Sequence, residues 1–484
     1  MSDAAPSQIL DYPSGSSDHP RPLRELLFLA APTVAQMASY TLMQFIDTWM
    51  LAHATRGSGV AAPTAAVNAG ILAFACISLG MGVMFVVNTL VSQAFGRRDF
   101  PACGQFMWQG VWAGLLFSAA LSPLAVFAPR VFRFFGHEPI IAGMEGTYLR
   151  IVVGAAVLKL TTTALEQFFL GVNRPGAVGV ATVGGVAVNA AAAWVLIFGH
   201  FGLQPMGVAG SAIAQNIGVG AEMCAMIAFA TGPVVRRQFL LHDWRFRSGE
   251  MWTLLKIGIP AGLQVVADVL AWSAFSIWVM GRFGNNTMAA NVFVFRYMSV
   301  SFMPAFGISV AVTALVGRYI GMGRPDIAVR RAHLGFAVTA LYMVACGVML
   351  FCFRRQLIGL FTDDPVVTQV GATLMVFAAV WQLFDAMYIV YNGALRGAGD
   401  TFVPAVVLAV LCWSIAVGAA YVVATHRPEL GAVGPWTCAV IYGVLLGIFM
   451  LTRFSRGGWK RIQLKTDSQA SNLQLDSSTF AAAK

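Results

Sequence analysis

Charge is scarce in this 484-residue chain. Only 11% of its residues are Asp, Glu, Lys or Arg, against roughly 25% in an ordinary globular domain. Thirty-one Lys+Arg and 21 Asp+Glu cannot coat the surface of the two or three soluble domains this length would otherwise form. Cysteine is sparse too: the seven are scattered and none falls in a CxxC pair, which argues against a disulfide framework or a zinc site. The seven His are isolated and no HExxH occurs. No metal constellation, nucleophile motif or cofactor loop is present, so an enzyme is not expected, nor a resident cofactor. The first 22 residues are polar and lack the basic-then-apolar order of a signal peptide, so the first apolar helix is expected to direct insertion.

What is abundant is apolar and small. Hydrophobic residues make up 58% and glycine contributes 49 positions; mean hydropathy is +0.72. That is the composition of an integral membrane protein, where small residues let helices approach closely. A bilayer core of about 30 Å needs about 20 apolar residues per helix. Apolar runs set against charges and Gly/Pro breaks mark twelve spans at about 26–52, 60–93, 105–129, 147–171, 177–199, 207–231, 253–281, 287–317, 333–353, 369–394, 402–425 and 432–453. Strand-like alternation is absent, so the expected fold class is an all-α membrane bundle. The net charge of +10 does not suggest nucleic acid, because the basic residues sit in short loops between apolar runs. With the N-terminus inside, Lys and Arg concentrate on inner segments, most clearly in the loop from Pro233 to Trp252. Both termini are therefore expected in the cytoplasm.

That loop lies near the middle, and the halves around it match. An offset of 228 carries Pro32 onto Pro260, Gln36 onto Gln264 and Ala61-Ala62 onto Ala289-Ala290. An offset of 227 carries Gly96-Arg97-x-Asp99 onto Gly323-Arg324-x-Asp326, one of 222 carries Gly171-x-x-Arg174 onto Gly393-x-x-Arg396, and one of 224 carries Gly207-x-x-Gly210 onto Gly431-x-x-Gly434. The reading is two parallel six-helix repeats: a lobe at 24–232, a linker at 233–252 and a lobe at 253–455, flanked by cytoplasmic tails at 1–23 and 456–484. Such folds place a cavity between the repeats near the midplane. Pro32, Pro260 and Pro304 lie inside spans and permit either bends or static kinks. No G-x-x-x-x-G-K-[ST] loop occurs, so uphill transport would draw on an ion gradient.

An Asp or Lys at a helix centre costs about 2.5–3.5 kcal/mol on insertion scales, so intramembrane charges point to a cavity or a partner. Asp268 and Asp385, both in the second half, form one candidate pair. Two carboxylates there can hold a sodium ion through hard oxygen ligands, hold a proton, or serve as structural acceptors. Asp47 is a cation-site candidate or an interfacial residue beside Arg56. Asn189 can coordinate a cation or bond a neighbouring helix. Lys159 and Glu166, seven apart on one helical face, read as a buried ion pair, with Glu222 and Arg296 structural in the same way. The aromatics Trp272, Phe275, Trp278, Trp381, Phe384, Tyr388 and Tyr391 interleave with the acids. Their faces suit organic cations or simply helix packing. Gln36 and Gln264, the matched glutamines, complete the candidate substrate set with Asp268, Asp385, Trp272, Phe275 and Tyr388.

These residues resemble the multidrug and toxic-compound extrusion (MATE) family from about residue 24 to 455. The likeness rests on Ala31-Pro32-Thr33, Ile46-Asp47-Thr48, Gly96-Arg-Arg-Asp99, Pro205-x-Gly207-Val-Ala-Gly-Ser-Ala-Ile-Ala-Gln215 and Gly393-Ala-Leu-Arg-Gly-Ala-Gly-Asp400-Thr401. The resemblance implies a monomeric exporter of amphipathic organic cations in the bacterial inner membrane, exchanging them for Na+ or H+. It implies that Asp268 and Asp385 occupy the acidic positions of the second-half cation site of NorM-type members, where the seventh-helix residue is commonly Glu. Asp47 and Asn189 match first-half cation positions, but Ala193 stands where some members carry Asp. Flippases for lipid-linked or glycan substrates share the architecture and are the alternative.

Overall fold

The computed structural model describes residues 21–54, 61–134 and 138–462. Arg56, Lys465, Lys484 and most of the two tails lie outside them. The described residues are almost wholly helical and contain no strand. The long apolar runs become helices because each residue adds about 1.5 Å of rise and every backbone N–H must find a partner within its own segment in hydrocarbon.

The first lobe comprises α1 (Pro22–Ala54), α2 (Ala61–Gly96), α3 (Phe100–Phe134), α4 (Pro139–Gly154), α5 (Ala156–Gly171), α6 (Pro175–Phe198) and α7 (Gly207–Thr231). The span expected at 147–171 is the pair α4 and α5, bent by 46° at Ala155. A short helix, α8 (Pro233–Gln238), opens the linker. The second lobe follows with α9 (Ser248–Ala274), α10 (Asn285–Gly321), α11 (Pro325–Cys352), α12 (Arg354–Gly359), α13 (Pro365–Gly397), α14 (Phe402–Leu411), α15 (Ala420–His426) and α16 (Val433–Ser455). Eleven helices among the described residues are long and apolar enough to span a bilayer, twelve with the bent pair. Proline opens α4, α6, α8, α11 and α13, where its missing N–H costs nothing. Pro32, Pro260 and Pro304 all lie inside unbroken helices.

The lobes are two parallel six-helix repeats, and their packing is symmetric. α1 packs on α10 as α9 packs on α2, and α2 and α10 pack on each other. Gly307 lets the backbone of Val34 approach, and in the equivalent contact Gly262 admits Leu79. The offset of 228 carries Val34 onto Gly262 and Leu79 onto Gly307, so the glycine changes partner between the two. A Cβ at Gly307 would lie 2.9 Å from Val34 Cα, so glycine is required there. The Thr33 hydroxyl donates to the Gly307 carbonyl at 2.9 Å across the same seam.

Backbone geometry corrects two of the motif offsets. Left-handed residues close α2 at Arg98 (φ 62°) and α10 at Gly323 (φ 72°), 225 apart. They close α5 at Asn173 (φ 62°) and α13 at Gly399 (φ 84°), 226 apart. The matches at 227 and 222 therefore align similar letters two and four residues out of register. The offset of 224 holds at Gly207 and Gly431, which share a φ near 52°.

Several conspicuous polar residues are structural. Asp400 takes a two-pronged contact from Arg453 at 2.8 and 3.1 Å. The Thr401 hydroxyl donates to the Ile257 carbonyl at 2.7 Å, and Asp99 accepts from the Ala102 N–H at 3.2 Å. The linker is pinned to α3: the Trp108 and Trp112 indoles donate to the carbonyls of Leu241 and Trp244, both at 3.0 Å. Glu25 of α1 reaches across the lobes. It accepts from Arg318 and Tyr319 of α10 and from Arg331 of α11, the last at 2.7 Å.

Candidate functional site

Polar side chains gather in the interior of each lobe. In the second lobe Asp268 sits two turns beyond Pro260 on α9, and Asp385 lies mid-way along α13. The charge of Asp268 acts directly on Asp385. Asp385 is buried and Asp268 half-buried. Among the described residues neither forms an ion pair with Lys or Arg. α9 and α13 run antiparallel, so Trp272, one turn after Asp268, and Trp381, one turn before Asp385, stand at the same level. Each indole lies beside its own carboxylate. The rings meet edge to face with centroids 5.3 Å apart. Tyr442 of α16 adds a third ring, 5.9 Å from Trp381 and 6.3 Å from Trp272. Tyr388 is half-exposed and lies within the field of both acids.

The helices around this site are locally irregular. The chain winds as a π-helix at Phe275–Val279, following α9, and again at Cys412–Ala419, following α14. Such wide turns displace side chains from the regular ladder and recur at functional sites. Cys412, at the start of the second, lies within the field of Asp268.

Part of the expected substrate set is placed elsewhere. Phe275 is sealed in the core behind Trp272, edge to face with it at 5.7 Å and with Trp436 and Phe295. Tyr391 is buried and its hydroxyl meets His333 Nδ1 at 2.8 Å, while Trp278 faces outward, 59% exposed. Gln264 donates to Asn392 Oδ1 at 3.1 Å, tying α9 to α13. The acids lie among α9, α13 and α16 of the second lobe, and α9 also packs on α2 of the first.

In the first lobe Asp47 of α1 faces Asn189 of α6. Both are buried, yet Asp47 Oδ1 and both amide atoms of Asn189 lack a partner in hydrogen-bond geometry. Tyr148 lies within the field of Asp47 and donates to Gln215 Oε1 at 3.0 Å. Two turns toward the start of α1 is a second cluster. The Tyr40 hydroxyl lies 3.0 Å from Glu166 Oε1 and 3.0 Å from Glu222 Oε2. Lys159 Nζ donates to the same hydroxyl at 3.2 Å and sits 4.2 Å above the Tyr40 ring. The expected Lys159–Glu166 ion pair is therefore not formed: a tyrosine the sequence analysis passed over stands between them. Tyr40 could have been found, since it lies one turn from Gln36 and two from Asp47 on one face of α1.

This arrangement has known relatives. A family model described as MatE matches residues 32–195 and again 260–422, its two matches starting 228 positions apart. The chain belongs to the MatE family. MatE proteins are transporters rather than enzymes, and this one is a multi-pass membrane transporter. A probable multidrug resistance protein NorM from Rhizobium meliloti (strain 1021) is 28% identical over 442 residues, covering 89% of this chain and 91% of that protein. Another probable NorM, from Bradyrhizobium diazoefficiens, is 30% identical over 420 residues, covering 85% and 88%. The crystal structure of the eukaryotic MATE transporter AtDTX14 superposes with a TM-score of 0.81 at 18% identity, over 91% of this chain and 97% of that one. The MatE fold thus extends across nearly all the described residues.

Proposed function

We propose that this MatE protein is a secondary antiporter that exports amphipathic organic cations in exchange for Na+ or H+, with Asp268 and Asp385 at its core. One observation carries the reading. Two carboxylates, without a Lys or Arg partner among the described residues, lie within a helical lobe beneath a cluster of three aromatic rings. Uncompensated charge in such a place is costly unless a mobile cation supplies the balance. The ring faces attract organic cations, by about 0.5–2 kcal/mol each. Ion and drug competing for the same two carboxylates cannot both occupy the site, and that exclusion gives exchange. Asp47 and Asn189, each with unpartnered polar atoms, form the matching first-lobe cation position.

The named relatives support multidrug export, since both are described as probable multidrug resistance proteins. Lys and Arg bias supports cytoplasmic termini, the bacterial relatives support an inner-membrane location, and the fold needs no second copy to build the site. On that topology Glu25, Arg318 and Arg331 close the cytoplasmic end. Asp385→Asn is expected to abolish drug resistance in a sensitive host while expression stays normal; unchanged resistance would sink the assignment. Efflux from proteoliposomes under independently imposed sodium and pH gradients identifies the coupling ion.

A further inference from the structure

The Tyr40 cluster carries chemistry that the second-lobe site does not use. Tyr40 has one hydroxyl proton, yet its oxygen lies at hydrogen-bond distance from carboxylates of both Glu166 and Glu222. A phenol can donate to one of them. Lys159 can only donate, so it supplies no acceptor for the other. The second carboxylate must bring its own proton, donating it to the tyrosine oxygen, or stand unsatisfied against it. Thr182 donates to Glu222 Oε1 and leaves Oε2, the atom nearest Tyr40, without that donor. Charge makes the same demand. Glu166 and Glu222 face one ammonium. Of the helices packed on α5, α2 and α6 carry no Asp, Glu, Lys, Arg or His. Arg130 and Arg133 of α3, Arg150 of α4 and Arg296 of α10 are exposed, Glu145 of α4 accepts from Asn68, and Arg318 of α10 is bonded to Glu25. Tyr40, hydrogen-bonded to Glu166 at 3.0 Å, joins the two carboxylates into one group.

A second observation points to an exchangeable occupant. Gln36 is 2% exposed, and its amide lies beside both Tyr40 and Glu166, with Nε2 in strict hydrogen-bond geometry to neither. A buried amide is thus aimed into the cluster, able to donate to Tyr40 or to an ionised Glu166. Tyr40 and Lys159 are half-buried rather than sealed, so the cluster is open at one edge. The fixed ammonium beside the phenol oxygen repels a metal cation but not a proton bound as a neutral carboxyl.

We infer that the first lobe holds one exchangeable proton, taken from water to form a carboxyl O–H on Glu166 or Glu222 and shared between them through Tyr40. The site is separate from Asp268 and Asp385, so its failure would leave the proposed antiport site standing. Charge on the first lobe would then change by one as the proton enters and leaves.

Infrared pH-difference spectroscopy on the detergent-purified full chain tests this. A protonated-carboxyl band that shifts in heavy water is expected. It should survive in the Asp268→Asn/Asp385→Asn protein and vanish in the Glu166→Gln/Glu222→Gln protein. A band unchanged in the latter overturns the inference, as does loss of the wild-type band when sodium replaces potassium at constant pH. Should the double glutamine variant not fold, Tyr40→Phe removes a single oxygen and must shift the band; an unshifted band also overturns it.

Discussion

Trp272 and Trp381 meet edge to face with centroids 5.3 Å apart, one turn from Asp268 and Asp385 respectively. Because α9 and α13 are antiparallel, two residues 109 positions apart close over the same pair of acids. The geometry joins the charge that attracts a cation to the ring faces that recognise an organic one.

This relationship predicts selectivity at Trp272. The residue is half-buried, so Trp272→Leu should fold. Loss of one cation–π contact is worth about 0.5–2 kcal/mol, a weakening of roughly 2- to 30-fold. The expectation is that binding of a quaternary ammonium such as tetraphenylphosphonium's nitrogen analogue falls by that factor, while an uncharged compound of similar size loses much less. Equilibrium binding to detergent-purified protein measures both. Equal losses for the two ligands would reduce the ring to a packing element.

A different test falls on the contact between lobes. Glu25 is shared by Arg318, Tyr319 and Arg331, all buried, on the opposite lobe. Breaking a buried ion pair by removing one partner costs about 3–5 kcal/mol. Glu25→Ala should therefore lower the melting temperature in detergent and raise labelling of a cysteine placed at Gln93, whose side chain now donates to the Gly397 carbonyl across the seam. A variant as stable and as poorly labelled as its parent would show that the lobes are held by apolar packing alone.

Close approach makes a third prediction, with its own control. A Cβ at Gly393 would lie 2.8 Å from the Ser309 carbonyl oxygen, so α13 could not seat on α10. Gly393→Val should cost several kcal/mol, at or above the usual range of about 1–3 kcal/mol for overpacking. Gly184 of α6 has nothing within 4 Å of its Cβ direction. Gly184→Ala should be neutral or stabilise by about 0.5–1 kcal/mol. Thermal unfolding of the two variants side by side checks the contrast.

The first-lobe pair makes the fourth. Asn189 is buried with both amide atoms unpartnered, facing Asp47. If the pair binds a cation, Asn189→Leu should reduce ion-driven efflux while leaving drug binding to the second lobe within about two-fold, since distant sites act nearly independently. Flux in proteoliposomes and binding in detergent separate the two. Efflux at the parental rate would make Asn189 a packing residue.

Much of this was legible in the chain itself. Scarce charge, long apolar runs and the matched prolines Pro32 and Pro260 specify a membrane bundle of two repeats, because hydrocarbon leaves a backbone no alternative to helices. The intramembrane carboxylates were visible for the same reason: each is expensive, so each marks a place where something balances it. Their partners were not visible. Lys159 and Glu166 share a helical face, and spacing alone pairs them; only the tertiary fold, which brings the Tyr40 side chain of α1 to α5 and α7, puts its hydroxyl between Lys159, Glu166 and Glu222. Phe275 and Trp272 are three residues apart and equally aromatic. The packing of Trp436 and Phe295 buries the first, and the approach of α13 turns the second toward the acids. One-dimensional periodicity states which residues share a stripe. Which stripe meets water, lipid or another helix depends on side chains hundreds of positions away, and that only the tertiary structure decided.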